Sequence, residues 1–406
     1  MNVLLCGGIR KHHDFLYQAG YDVTWLIARD NQFPEDLKSP PKRLFVYSPD
    51  DKIETVHAVA MTLHGIVGFE RVFSFHDDSQ ELAARLAESI GCGFTVSLEA
   101  LRNTRQKPLM RRRLDEACVP SCWHEVAHDE TSLLQVAASC GLPKIIIKPV
   151  DGTGSKSVVA LQSPAQISQG WTREHVPTYP VLLEEFLEGK EYSVESFTSF
   201  GVHYFAGITE KFIDESTFVE IGHIFPADLQ PEQARLITDY VARALTALGV
   251  DNSPAHTEIM LTRSGPRIIE THTRVGGDWI PTLVQQVTGI DLYELSVLAQ
   301  MNHKWDGAKS VFAQATAKGF CGIRYTVPPA AGRLIKEVSG IDEAKSINGV
   351  LEAYAIRRPG DRTKSLVDSF SRMAYVRATQ SSRDELLSTL DRATGCIRYD
   401  YEESPS

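Results

Sequence analysis

HTEIMLTRSGPRIIETHTR, residues 256–274, sets two apolar runs on either side of a Thr-Arg-Ser-Gly-Pro turn, and each run carries a glutamate. The turn makes the runs the arms of an antiparallel hairpin. Centred on Ser264, it pairs residues whose numbers sum to 528, so Glu258 lies opposite Glu270. Side chains alternate along a strand, which places His256 and Glu258 on one face with Glu270, His272 and Arg274. Ile259, Leu261 and Ile269 then anchor the opposite face. Two carboxylates opposed at about 5 Å repel each other unless something neutralises them. A hard divalent cation with oxygen ligands does so, and Mg²⁺ carrying nucleotide phosphates is the usual candidate. A pair of solvent-facing glutamates is the plain alternative; the histidines and the arginine on the same face count against it.

The flanking segments add to this face. Gly276 and Gly277 are expected to open a helix whose free N–H groups suit a substrate carboxylate. Before the hairpin, Pro231 opens and Gly249 closes a helix with Leu236, Ile237, Tyr240, Val241, Leu245 and Leu248 on its buried face. VLLEEFLEGKEYSVESF, residues 181–197, reads as two strands meeting at a loop, where Glu184 and Glu191 bracket the apolar Phe186 and Leu187. Carboxylates beside an apolar slot suit an adenine and a ribose, although an exposed acidic hairpin has the same pattern. KPVDGTGSKSVV, residues 148–159, has glycines that let the backbone approach a phosphate, and Lys148 adds charge. It matches neither the Walker nor the dinucleotide pattern; strands on both sides make it a hairpin flap.

The first hundred residues alternate short apolar runs (NVLLC, DVTWLIAR, RLFVYS, RVFSF) with helical patterns, the signature of a Rossmann-like parallel sheet. A length of 406 residues allows two or three domains, and a net charge of −10 disfavours a nucleic-acid partner. RRR at 111–113 reads as a solvated helix face, and His12, His13 and His303 as surface residues. The N-terminal apolar run is too short for a secretory signal, and no stretch approaches the roughly 20 apolar residues of a membrane span. A cytoplasmic protein without membrane contact is expected. Seven scattered cysteines form no metal-type spacing.

Taken in order, the flap, the acidic loop and the carboxylate hairpin resemble the ATP-grasp superfamily of ligases, over nearly the whole chain. In that family a phosphate-binding lysine precedes the adenine-contacting glutamate by about 36 residues, as Lys148 precedes Glu184, and a ribose-binding carboxylate follows seven further on, here Glu191. Its metal site runs Glu, Glu twelve later, Asn two further and Arg two beyond; Glu258, Glu270, His272 and Arg274 take those places, with His272 departing from the usual Asn. An imidazole suits Mn²⁺ better than Mg²⁺. An earlier phosphate-binding lysine corresponds to Lys107, which Pro108 biases away from helical geometry. Within the superfamily the chain looks most like L-amino-acid ligases and related natural-product amide synthetases, through GITEKF, VEIGHIFPADL, ETHTRVGGDWI and AAGRL.

The resemblance implies an α/β chain, α+β in its central domains, with the ATP-grasp fold. Its parts are a Rossmann-like domain over 1–103, an ATP-grasp domain over 104–308 with a clamping subdomain at about 120–190, and a C-terminal lid over 309–406. It implies ATP with Mg²⁺ or Mn²⁺, a small carboxylate and an amino acid joined through an acyl phosphate, and, by analogy alone, a homodimer. ATP would meet Lys107, Lys148, Gly152, Thr153, Gly154, Ser155, Glu184, Glu185, Phe186, Leu187 and Glu191. Glu258, Glu270 and His272 would hold metal. Arg274, His256 and Lys211 would act on the reacting groups, and Gly276, Gly277 and His223 would line the substrate pocket. A carboxylase or nucleotide-precursor ligase of the same fold, and a regulatory nucleotide-binding protein without catalysis, remain open at this point.

Overall fold

The computed structural model describes residues 1–29, 39–151, 158–161, 163, 178–301 and 307–402. Gly152, Thr153, Gly154, Ser155 and His303 lie outside them. The four N-terminal apolar runs form a parallel sheet of β1 (Asn2–Cys6), β2 (Asp22–Ala28), β3 (Arg43–Tyr47) and β4 (Arg71–Ser74), in the order β3-β2-β1-β4. A small antiparallel sheet follows: β5 (His124–Ala127), β6 (Ile145–Pro149), β7 (Val159–Leu161) and β8 (Val181–Glu185), ordered β5-β8-β6-β7.

The largest sheet contains β9 (Gly189–Ser199), β10 (Val202–Ile213), β11 (Glu220–Phe225), β12 (Ser253–Thr262), β13 (Gly265–His272) and β14 (Phe320–Thr326). It is completed by β16 (Val350–Ala355) and β17 (Ala374–Gln380), in the order β13-β12-β9-β10-β11-β14-β17-β16. A two-stranded ribbon of β15 (Ile335–Ser339) and β18 (Arg398–Tyr401) lies beside it. Among the described residues no helix is long and apolar enough to cross a membrane.

The β12–β13 hairpin carries a feature that alternation alone misses. Glu258 pairs with Glu270 and His256 with His272, but nearer the turn Ile259 pairs with Ile268 and Thr262 with Gly265, so the loop is only Arg263-Ser264. A bulge makes up the difference by giving β13 one extra residue. Ile268, 1% exposed, therefore joins Ile259 in the core under the helix Pro231–Ala247, and Ile269 turns to the other face, contrary to the expected pattern. The irregularity's polar groups find partners. Ile268 N–H donates to Tyr240 Oη at 2.8 Å, and Ile269 C=O accepts from Arg111 Nη2 at 2.8 Å.

Four further expectations are corrected. Leu236 is 50% exposed, because the packed stripe of its helix is Ile237, Tyr240, Val241, Ala244 and Leu245. His12 and His13 are buried, stacked on Phe75 and Trp25, and burial lowers the His12 pKa to about 3, so its ring packs as a neutral group. Arg111 is fully buried although Arg112 next to it is not, since only one position of the RRR run faces inward on the helix Lys107–Glu116. Gly276 and Gly277 do not open the next helix. That helix begins at Ile280, after Asp278 and Trp279 with φ of 49° and 64°.

The bulge yields a paired prediction. Ile268→Ala should lower unfolding free energy by about 2–5 kcal/mol, as a core truncation does. Ile269→Ala should cost less in urea unfolding, because its side chain is outside that core; equal stability losses would contradict the register.

Candidate active site

Five strands contribute side chains to one face of the large sheet. Alternation and register bring Glu270 and His272 of β13, His256 and Glu258 of β12, Glu191 and Glu195 of β9, Lys211 of β10 and His223 of β11 to it. Across from this face stand the small sheet and the helix Lys107–Glu116. The cleft between them encloses about 950 Å³, its open mouth included. Lys107, Lys148, Glu184, Glu191, Glu258 and Glu270 charge its walls; Ile146, Phe186, Leu187, Phe218, Met260 and Ile269 make an apolar slot.

The acidic groups are paired with cations. Lys107 Nζ lies 3.0 Å from Glu270, and Lys148 Nζ 2.5 Å from Glu184, whose other oxygen meets Arg111 Nε at 2.7 Å. Lys211 is buried among Glu191 at 2.6 Å, Glu220 at 2.8 Å and Glu258 at 2.8 Å. An ammonium has three protons, so these carboxylates take up its whole donor capacity. Burial opposes that charge, but the three carboxylates outweigh it and raise the lysine well above its ordinary range.

His256 sits between Glu195 at 2.8 Å and Glu258 at 3.2 Å. Burial disfavours its charged form, yet the two glutamates push its pKa up to about 10, so it is an imidazolium at neutral pH. His272 sits between Glu270 at 3.1 Å and Asp77 at 3.2 Å and is likewise raised against its burial. Both of its ring nitrogens face carboxylates. Arg274 donates from Nε to Asp77 at 2.8 Å and from Nη1 to Val275 C=O at 2.9 Å.

The substrate-pocket candidates fall on one side of this network. His223 is buried and lies 3.2 Å from Asp278. Gly276 lies so close to the His256–Glu195 pair that a Cβ there would be 2.9 Å from His256 Nδ1 and 3.0 Å from Glu195 Oε2; Gly277 borders open space. Glu220, His223 and Asp278 bring ligand atoms within 4.8 Å of one another. Lys211 on Glu220 and Arg372 on Asp278, at 2.6 and 2.7 Å, already balance that group without a metal. Glu185 points out of the small sheet and is exposed, while still bordering the cleft.

Asp77, Arg111, Glu195 and Glu220 belong to the network and were not singled out from sequence. Arg111 follows Lys107 by one helical turn, and Glu195 follows Glu191 by two alternations, so periodicity held a signal for both. Asp77 comes from a distant segment and had none.

Residues 142–282 match the ATP-grasp domain, and residues 324–402 match the L-amino acid ligase C-terminal domain 2. An uncharacterized protein of Sinorhizobium fredii is 29% identical over 76% of this chain and 63% of its own length. Dapdiamide A synthase of Enterobacter agglomerans is 25% identical over 76% of this chain and 74% of its own. The crystal structure of an L-amino acid ligase from Bacillus licheniformis superposes with a TM-score of 0.84, covering 99% of both chains at 20% identity. That likeness is one of fold: the chain has the ATP-grasp fold.

Glu184 gives a pH test. Burial would raise its pKa, but Arg111 and Lys148 hold it at about 2. A depressed carboxylate stabilises the fold above its unfolded pKa near 4.3 and loses that contribution as pH falls toward about 2. Wild type should lose about 3 kcal/mol across this window relative to Glu184→Gln in denaturant unfolding; parallel curves would contradict the pairing.

Proposed function

We propose that this chain, built of an ATP-grasp domain with an L-amino acid ligase C-terminal domain, is an ATP-dependent carboxylate–amine ligase. It joins an amino acid or small carboxylic acid to an amino acid through an acyl phosphate, releasing ADP and phosphate. The observation that carries this reading is a single cleft that gathers an apolar slot, Lys107 and Lys148 and the paired Glu258 and Glu270, with Arg274 two residues past the end of the same hairpin. In this reading residues 1–103, 104–308 and 309–406 are the N-terminal, ATP-grasp and lid domains.

The slot of Ile146, Phe186, Leu187 and Met260 takes the adenine, with Glu184 and the edge at Glu185 beside it and Glu191 toward the ribose. Lys107 and Lys148 turn from Glu270 and Glu184 toward the phosphates. Glu258 and Glu270 offer paired hard oxygen donors, which would suit Mg²⁺ or Mn²⁺ once Lys107 has turned away; such an ion would neutralise phosphate charge in phosphoryl transfer. His272 holds Glu270 in place, and His256 does the same for Glu258 as a fixed cation. Lys211 locks Glu191, Glu220 and Glu258 into one array.

Arg274 holds the acid's carboxylate while one of its oxygens attacks the γ-phosphorus and the bond to the β-phosphate bridging oxygen breaks, giving ADP. The amine then attacks the acyl carbon, a C–N bond forms, the C–O bond to phosphate breaks and the amine's proton is lost. Arg274 stabilises the oxyanion formed on the way, where a preset donor is worth the most. Gly276, Gly277 and His223 border the space for the second substrate. An acyl phosphate must be kept from water, and the C-terminal domain supplies that cover.

A phosphate-release screen over amino acids, singly and in pairs, with small dicarboxylates and their amides, should show ADP formation that requires two substrates. Turnover on bicarbonate alone would overturn the reading. Glu270→Gln should cut substrate-dependent phosphate release by at least about 10²-fold with the fold intact. Arg274→Ala should keep nucleotide binding within about twofold while ligation is lost; an equal loss of both would contradict its role.

A further inference from the structure

We propose that Asp77 is a positioning residue for amide formation, acting through Arg274 and His272; the inference rests on the role given to Arg274 above. Asp77 begins the helix Asp77–Ile90, just past the C-terminal end of β4. In the order β3-β2-β1-β4 the chain winds from β1 to both sides, so this is the topological switch point of the first sheet, where α/β folds place their polar business. The carboxylate reaches the end of the catalytic hairpin nearly 200 residues away in sequence. Its Oδ2 accepts from Arg274 Nε at 2.8 Å and lies 3.2 Å from His272 Nδ1.

The surrounding junction does not depend on that side chain. Gln80 Nε2 donates to Thr273 C=O at 2.8 Å, and Thr273 Oγ1 donates back to Gln80 Oε1 at 3.1 Å. Arg105 Nη1 donates to the Asp77 backbone carbonyl. With helix and hairpin already tied, the carboxylate's own effect is orientation. Arg274 gives Nε to Asp77 and an Nη1 proton to Val275 C=O, which fixes the guanidinium plane; Nη2 has no acceptor among the described residues. A planar fork fixed at Nε and Nη1 leaves Nη2 in a set direction for a ligand. Asp77 is 9% exposed, so this is no rim ion pair of the kind that contributes little. The same carboxylate fixes the imidazole that holds Glu270, linking the two halves of the site.

The test compares wild type, Asp77→Asn, Arg274→Lys, the double variant and Gln80→Ala, with ATP and the substrate pair from the screen. Asp77→Asn keeps the shape and one acceptor; Asp77→Ser is the second variant should the amide not fold. Asp77→Asn should lower kcat for amide formation about 10- to 100-fold, the cost of a misplaced reacting group. It should leave KM for ATP within about twofold and raise the ADP-to-amide ratio. In the Arg274→Lys background its added effect should shrink to less than about threefold, because it acts through the residue already changed. Gln80→Ala, which loosens the junction alone, should lower Tm with kcat unchanged. Unchanged kcat in Asp77→Asn, full additivity in the double variant, or an equal kcat loss in Gln80→Ala would each overturn the proposal. Arg274→Ala that still ligates would instead remove the functional reading on which it rests.

Discussion

Two glutamates opposed on one buried hairpin face, Glu258 and Glu270, constrain the rest of the structure. Like charges so placed oppose folding unless cations stand within a few ångströms. Lys211 and His256 serve Glu258, and Lys107 and His272 serve Glu270. Those cations in turn need acceptors, which draws in Glu191, Glu195, Glu220 and Asp77. The network reaches from the helix that follows the fourth strand of the first sheet to the fifth strand of the large one. Burying an ion costs several kcal/mol, so such a network stabilises only when complete. Behind this one lies an apolar core of Ile259, Ile268 and the helix Pro231–Ala247.

On the function proposed here, the cations keep the cleft ready for a highly charged nucleotide. Lys107 and Lys148 rest on Glu270 and Glu184 at its wall, and in that proposal they turn to phosphate when nucleotide enters. Lys211 and His256 are enclosed among carboxylates on the sheet and act as fixed charge.

Much of this was legible in the residues. Alternation and a single turn place Glu258 opposite Glu270, because a strand's period of two leaves little freedom near the site. The parallel N-terminal sheet follows from apolar runs spaced by helical patterns. What could not be read depends on tertiary context. The bulge at Ile269 leaves the pairing at the glutamates as expected while inverting the faces of Ile268 and Ile269, and it is paired off by Tyr240 and Arg111 from other elements. Arg111 looked solvated in a basic run, since one inward position in three leaves no trace in composition. His12 and His13 looked polar, but stacking on Phe75 and Trp25 makes them core. Asp77 meets Arg274 only because the first sheet docks on the hairpin, a contact no local pattern encodes.

The account stands on a carboxylate attacking the γ-phosphate of ATP. The most direct measurement uses an acid labelled with ¹⁸O in its carboxyl group, the partner amine and ATP, with mass analysis of the phosphate released. An acyl phosphate transfers one labelled oxygen to each phosphate formed with amide; unlabelled phosphate accompanying amide product would contradict it.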